Sequence, residues 1–347
     1  MLVVRPADHH DLAGIEKLVT TSEARLTTLS NQRDQLSQRI ELSQQAFAGE
    51  RSVAGKERFL FVMEELPQAG LSDVDSSNPN IIGVAGIDAC AGNGAPFYNY
   101  RKDELIHASH QLDIHNKVPV LYLTHELTGT SQLCSLSIRR DYKQGNALEL
   151  LSRARLLFIG LFREHFSREI IVEIQGKHTD SDGSPFWDSL GRHFFGMDFK
   201  SADYFSAIKT KTFIAELMPT HPIYVPLLTP EAQSVMGKPN DAASPGYQLL
   251  LREGFRTSKH LDIFDGGPTL SARLDDLHTL NHSRYKFYQS SDQVSKGCKY
   301  MVSNPTLSDF RCVLASLDEH EDTVQLEPKL VDALQLEEDD RIAVVAF

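Results

Sequence analysis

The chain has 347 residues, 41% hydrophobic and 24% charged, an ordinary globular composition that excludes general disorder. Lys plus Arg number 35 against 47 Asp plus Glu, and the net charge of -12 argues against nucleic acid or an anionic membrane surface as the main partner. No apolar run approaches the roughly 18–20 residues needed to span a bilayer, and four scattered cysteines make neither a disulfide framework nor a zinc motif.

MLVVRPADHHDL lacks a basic region followed by a long apolar one, so no signal peptide is expected and a cytoplasmic location follows. MLVVRP reads as a strand, with Asp11 placed to cap a helix beginning LAGIEKLV. Residues 21–50 carry Leu26, Leu29, Leu36, Ile40 and Leu42 at helical intervals, one or two surface helices. FLFVMEE (59–65) and IIGVAGIDA (81–89) are strands, and the turn-rich LPQAGLSDVDSSNPN between them reads as a hairpin loop. Residues 91–119 look irregular. PVLYLTHEL (119–127) and LCSLSI (133–138) are two further strands able to pair. From Ala147, residues 150, 151, 154, 157, 158, 161 and 162 extend one apolar helical stripe. EIIVEI (169–174) is a buried type of strand. SPFWDSLGRHFFGMDF, the apolar TFIAELM, the helix QLLLREGF and LDIFDGGPTL follow. Two of these stretches end a helix in glycine and Phe, a weak sign of related halves. After about residue 290 short strands dominate: YMVSN, FRCVLASL and RIAVVAF.

Four constellations carry possible chemistry. In LSIRRDYKQGNALELLSRARLLF a strand runs through a basic turn into a helix. The backbone amides of Gln144, Gly145, Asn146 and Ala147, with Lys143 beside them, can grip a pyrophosphate, or form a plain strand-to-helix turn. His107, His110 and His115, with His125 beyond, lack a carboxylate or cysteine at metal-ligand spacing, so no metal site is expected; one of them can still act as a base. Glu173, Glu216, Asp262 and Asp265 sit inside runs read as apolar strands. They are either solvated or turned inward to bind a guanidinium or accept a proton. The aromatics around Trp187 read as core rather than pocket.

The order of elements resembles the GNAT-type N-acyltransferase fold. Closer still, PFYNYRKDELIHAS, LDIHNKVPVLYLTHELTG, SPFWDSLGRHFFGMDF, FIAELMPTHPIYVPLL and REGFRTSKHLDIFDGGPTL resemble the arginine N-succinyltransferase family, especially the alpha subunit of its two-subunit arginine/ornithine form. The resemblance covers nearly the whole chain outside 66–80 and the last 60 residues. It implies an α/β (α+β) fold with a mixed central sheet flanked by helices. The expected division is an acyl-CoA-binding part, 1–200, a part completing the substrate site, 201–285, and a small β-rich subdomain, 286–347.

It also implies succinyl transfer from succinyl-CoA, a co-substrate rather than a resident cofactor, to the α-amino group of L-arginine in arginine catabolism. The alternatives are ornithine or another amino acid as acceptor, or a catalytically weak CoA-binding subunit. A homo-oligomer, or a hetero-oligomer with a related subunit, is expected. Leu136 falls on the family's acyl-CoA contact and Lys143 to Ala147 on its phosphate turn, although these residues depart from the usual pattern. The family's proton-donor histidine follows a glycine by three residues; in AQSVMGKPNDAA that position is Asn240. Asparagine cannot give up and regain a proton as histidine does, so another group serves or the need for a donor is smaller. A thiolate leaving group, whose conjugate acid has a pKa of about 8.5, departs with little help. His107 and Glu216 are candidates for base or substrate contact, and Asp265 for the guanidinium.

Overall fold

The computed structural model describes residues 1–22, 29, 32–67, 79–179, 183–208, 212–292, 295–318, 322–337 and 340–347. The expected loop at 68–78, and Leu26, lie outside the described residues. The strands begin with β1 (Leu2–Pro6), β2 (Arg58–Glu65), β3 (Ile81–Asp88), β4 (Asn99–Ser109) and β5 (Ile114–Thr124). They continue with β6 (Ser131–Ile138), β7 (Glu169–Glu173), β8 (Ile223–Tyr224), β9 (Arg256–Leu261) and β10 (Pro268–Arg273). The last are β11 (Arg284–Ser290), β12 (Cys298–Ser303), β13 (Cys312–Leu317), β14 (Thr323–Leu326) and β15 (Arg341–Ala346).

The chain divides into two compact units, each discontinuous in sequence. The first comprises Met1–Ala89, Ser131–Arg168 and Arg273–Phe347; the second comprises Cys90–Thr130 and Glu169–Ala272. This differs from three consecutive spans at 1–200, 201–285 and 286–347. The reason is local: the chain leaves the first unit after β3 and returns at β6, and the C-terminal strands extend the first unit's sheet.

In the first unit the strand order is β14-β11-β15-β12-β13-β1-β2-β3-β6. These neighbours pair antiparallel except β11 with β14, which makes the sheet mixed. The helices Leu12–Thr21 and Arg33–Phe47 close over β2 and β3 through Ile15, Leu18, Leu36, Ile40, Leu60 and Val84, all buried. Each such side chain contributes about 1.5–3 kcal/mol of burial. Asp11 stands at the helix N-cap as expected, but its carboxylate makes no cap bond to that helix. It is fully buried and takes a two-pronged bond from Arg5, 2.8 Å on each arm, plus one from the Asp8 backbone N–H.

The expected helix after the basic turn spans Ala147–Leu161, and it is buried all round rather than along one stripe. The C-terminal segment explains the second buried side. Arg153 Nε donates to Thr279 Oγ1 at 3.0 Å, and its Nη2 donates to the Ala346 carbonyl at 2.8 Å.

In the second unit the order is β7-β10-β9-β4-β5-β8. Residues 91–119, expected to be irregular, instead supply the long hairpin β4–β5. Its outer residues are exposed on both faces, so no apolar alternation marks them. PVLYLTHEL and LCSLSI do not pair as a hairpin: β5 lies between β4 and β8, while β6 pairs with β3. SPFWDSLGRHFFGMDF forms two short helices, Pro185–Ser189 and Gly191–Phe195, started by Ser184 accepting from the Trp187 N–H at 3.1 Å. Trp187 is fully buried and its indole N–H donates to the Met197 carbonyl at 3.0 Å, a core role as expected. Of the cysteines, Cys134 and Cys312 are buried, Cys90 is half-buried and Cys298 is exposed, all unbridged.

Candidate active site

The first candidate element is the end of β6 and the turn after it, in the first unit. Ser135 lies in the left-handed region at φ +54°, and the β3–β6 register slips between Val84 and Gly86. A bulge of this kind interrupts the ladder and bends the strand beside it. Leu136, half-buried, comes directly after the bulged residue.

A buried arginine holds the bulge from beneath. Arg155, on the helix Ala147–Leu161, donates through Nη1 to the carbonyls of Gly86 (3.3 Å) and Cys134 (3.2 Å), and through Nη2 to Ser152 Oγ (3.3 Å). It is 1% exposed, and burial pulls its pKa down to about 10. Beside it Asp88 receives Arg39 at 2.9 Å and Arg58 at 3.1 Å. These groups fix the strand geometry; residue patterning gave no sign of them.

Past β6, a short helical turn at Arg140–Tyr142 leads into Lys143, Gln144, Gly145 and Asn146, then Ala147 as the first helical residue. Lys143, Gln144 and Gly145 are exposed, Asn146 is half-buried and Ala147 is buried. Asn146 is the N-cap residue, and its side chain makes no cap bond. The first N–H groups of the helix thus have no intrahelical acceptor and face outward with the positive end of the helix dipole. Gly145 sits at φ +113°, and a Cβ built there meets no atom within 4 Å. The turn is open on that side. Its charge is partly spent locally: Arg139 pairs with Asp141 at 2.8 Å and lies over the Tyr142 ring at 4.7 Å, and Tyr142 Oη donates to Glu65. The Arg139 pair in turn holds the exposed Asp141 carboxylate below its usual range.

The second element belongs to the second unit. Asn240 is half-buried; its N–H donates to the Gln175 carbonyl at 2.7 Å. Its Oδ1 accepts from the Ala242 N–H at 2.9 Å, so the side chain shapes its own loop. Gly176 bridges to Pro239 in the same strip of backbone. Asp265 is buried and accepts from the N–H groups of Gly176 (2.7 Å) and Gly267 (2.8 Å). Its Oδ2 also faces His178 Nε2 at 3.3 Å. Both oxygens are engaged, which leaves little room for a forked bond to a guanidinium. Asp262 accepts from the N–H groups of Phe264 (2.7 Å) and Asp265 (2.9 Å). Part of this residue stays accessible, yet its carboxyl is enclosed by protein. Desolvation, with the like charges of Asp265 and Glu173 close by, holds it well above the usual carboxylate range.

The structure therefore brings Asn240 and Asp265 into one hydrogen-bonded cluster with Gln175 and His178, two residues that sequence reasoning passed over. A histidine in the polar run QGKHTD shows no periodicity, and its partner Asp265 is 87 positions away. Among the described residues, His107 and Glu216 make no hydrogen bond to the cluster. His107 is exposed on β4 with its ring 5.9 Å from Tyr224. Glu216 is exposed on the helix Thr212–Leu217, not on a strand. There the buried Ile214 and Met218, four residues apart, set the helical spacing. A cavity of about 410 Å³, also in the second unit, is lined by Thr179, Pro185, Asp188, Ser189, His193, Leu227, Thr229 and Glu231, none of them a candidate from sequence. Among the described residues no three His, Cys, Asp or Glu gather as metal ligands, and no helix is long and apolar enough to cross a membrane.

Comparison with known proteins supplies the family. Residues 2–279 match the family described as arginine N-succinyltransferase beta subunit, and residues 286–346 match the C-terminal domain of the same description. The arginine N-succinyltransferase subunit alpha of Pseudomonas aeruginosa is 41% identical over 92% of this chain and 91% of its own length. The arginine N-succinyltransferase of Yersinia pestis is 37% identical over 100% of this chain and 98% of its own. The solved structure of arginine/ornithine succinyltransferase subunit AI from Pseudomonas aeruginosa superposes with a TM-score of 0.89 at 37% identity, covering 100% of this chain and 98% of that one. The mixed α/β architecture agrees with the fold class that the sequence led us to expect. This chain belongs to the arginine N-succinyltransferase family.

Proposed function

We propose that the chain transfers the succinyl group of succinyl-CoA to the α-amino group of L-arginine, giving N2-succinyl-L-arginine and CoA. The observation that carries this reading is the chain-long likeness to relatives named for that activity. The open turn supports it. Amides of Gln144 through Ala147 at a helix N-terminus suit a pyrophosphate, and Lys143 adds charge. Gly145 keeps the approach clear, because nothing stands within 4 Å of where its side chain would be. The bulge at Ser135 bends the strand beside Leu136, which suits an N–H donating to an acyl oxygen that gains negative charge as the thioester is attacked.

The same site accepts ornithine in a second reading, favoured because the superposed Pseudomonas aeruginosa structure is named for both amino acids. Assembly with a related second subunit, rather than only with copies of itself, is supported by the relative named as a subunit alpha. Thiol release measured with succinyl-CoA or acetyl-CoA, each with L-arginine or L-ornithine, tests the reading. Release must depend on both succinyl-CoA and the amino acid, and be fastest with arginine. Release that is independent of any amino acid overturns it.

A further inference from the structure

The helix Ala147–Leu161 carries a guanidinium that its packing alone does not account for. Arg155 is 1% exposed, yet among the described residues no carboxylate lies at ion-pair distance from it. Its acceptors are two backbone carbonyls and one hydroxyl, those of Gly86, Cys134 and Ser152. Its Nε is buried without a hydrogen-bond partner among the described residues. Asp88, two residues along β3 from Gly86, is already held by Arg39 and Arg58. Taking a cation out of water without a counter-charge is expensive. A residue that breaks a packing rule at such a cost is a candidate for function.

The contacts of Arg155 fall at the irregular point of β6, and every residue involved belongs to the first unit. Val84 pairs with Ser137 and Gly86 with Cys134, which leaves Ser135 and Leu136 together opposite Ala85. Ser135 holds φ +54°, a conformation that persists in a non-glycine residue only where its surroundings over-determine it. Arg155 Nη1 does this by pinning a carbonyl on each strand at the slip, Gly86 at 3.3 Å and Cys134 at 3.2 Å. The Cys134 carbonyl and the Ser135 N–H are the two ends of one planar peptide. Fixing the carbonyl therefore fixes the direction of that N–H, and with it where the chain presents Leu136. A carbonyl that accepts from a cation is also polarised, which makes the N–H at the other end of its peptide a stronger donor. Close packing leaves the slip little freedom: a Cβ on Gly86 would stand 2.9 Å from Cys134 Sγ and 3.3 Å from Arg39 Nη2.

We propose that Arg155 is a positioning residue of acyl transfer: it holds the Ser135 bulge in the form whose N–H meets the thioester oxygen, and its uncompensated charge stabilises that oxygen as it becomes negative. This rests on the acyltransferase reading above and names the group beneath its acyl site. Arg155 forms and breaks no bond and exchanges no proton. It acts through the peptide between Cys134 and Ser135, not by contact with the substrate. A fixed charge in a water-free interior acts strongly on charge that develops nearby. The effect is needed only while the oxygen is negative, so it appears in kcat rather than in ground-state binding.

The test uses the full chain with succinyl-CoA and L-arginine. Arg155→Met fills similar space without the charge or the donors, and its kcat falls by about 10- to 10³-fold, up to the usual worth of one oxyanion donor. CoA affinity by calorimetry stays within about threefold of the parent, because the amides of the pyrophosphate turn are not among the partners of Arg155. Arg155→Lys keeps a positive charge but not the fork, and its kcat lies between the two. The second readout is the infrared carbonyl band of succinyl-CoA labelled with ¹³C at the thioester carbon. Binding to the parent moves the band to lower wavenumber; the shift is smaller in Arg155→Lys and smallest in Arg155→Met, a change that a purely structural role would not produce. An Arg155→Met protein with parental kcat or a parental band shift overturns the proposal. So does a loss of CoA affinity in parallel with kcat, which marks general damage to the helix. If Arg155→Met does not fold, Arg155→Lys is read against the parent alone, and parental kcat with a parental band overturns the proposal. A parent without arginine-dependent thiol release overturns the functional reading instead, so the two failures are told apart.

Discussion

Gly145→Ala isolates the backbone of the turn that is assigned to the CoA pyrophosphate. The added methyl enters open space, since nothing lies within 4 Å of it, so no steric clash contributes. The cost comes from φ +113°, a region that L-residues rarely occupy. Holding a non-glycine residue there costs about 1–3 kcal/mol. The turn is exposed and not braced by packing, so the variant relaxes away from the binding form and recovers it only at the expense of affinity. At about 1.4 kcal/mol per tenfold, CoA binding weakens by about 5- to 150-fold. Isothermal calorimetry with CoA measures this directly. Gly55→Ala is the control: Gly55 sits at φ +76° in the same unit, also with open space around it, but far in sequence from the turn. It loses thermal stability without losing CoA affinity. If Gly145→Ala binds CoA as the parent does, the turn does not hold the pyrophosphate in its present form.

Other outcomes follow from the packing. Asp262 keeps its proton to higher pH in the folded chain than in the unfolded one, because burial and the neighbouring Asp265 and Glu173 raise its pKa. The folded state then binds more protons between about 3.9, the unfolded value, and the raised one. Stability therefore declines as pH rises through that window. Asp262→Asn retains an oxygen for the Phe264 and Asp265 N–H groups but carries no charge. Its melting temperature exceeds the parent's at pH 8, and the difference vanishes near pH 4; an unchanged pH dependence refutes this. Asp11→Ala leaves the mostly buried Arg5 with Glu64, among the described residues, as its remaining carboxylate partner at hydrogen-bonding distance, and costs about 3–5 kcal/mol in urea unfolding. In Gly191→Ala the new carbon would stand 2.3 Å from the fully buried Trp187 ring. Overpacking there costs about 1–3 kcal/mol, read as a lower melting temperature.

Where an element carries a sustained apolar run, the sequence was a good guide. The hairpin β2–β3 and the helix Ala147–Leu161 both stood out as apolar patterns, and the turn before the helix followed from their order. The hairpin β4–β5 did not, because Ile106 and Ile114 are exposed and its outer strands have no buried face to pattern. The seven-residue run TFIAELM is too short for periodicity to separate strand from helix, and Glu216 was misplaced with it. The candidate cluster in the second unit was least legible. Asp265 was singled out as a carboxylate in an apolar run. Its partners, His178 and the Gly176 amide, come from a loop more than 80 residues away in sequence, brought in by the pairing of β7 with β10.

The identity of the acylated nitrogen tests the central claim most directly. Succinyl-CoA is incubated with L-arginine labelled with ¹⁵N at the α position, and the product is followed by proton–nitrogen correlation spectroscopy. The account predicts a new amide signal on the labelled nitrogen, growing in step with released CoA thiol, with the guanidinium signals unchanged. Thiol release without an α-amide signal, or a shift confined to the guanidinium, would contradict it.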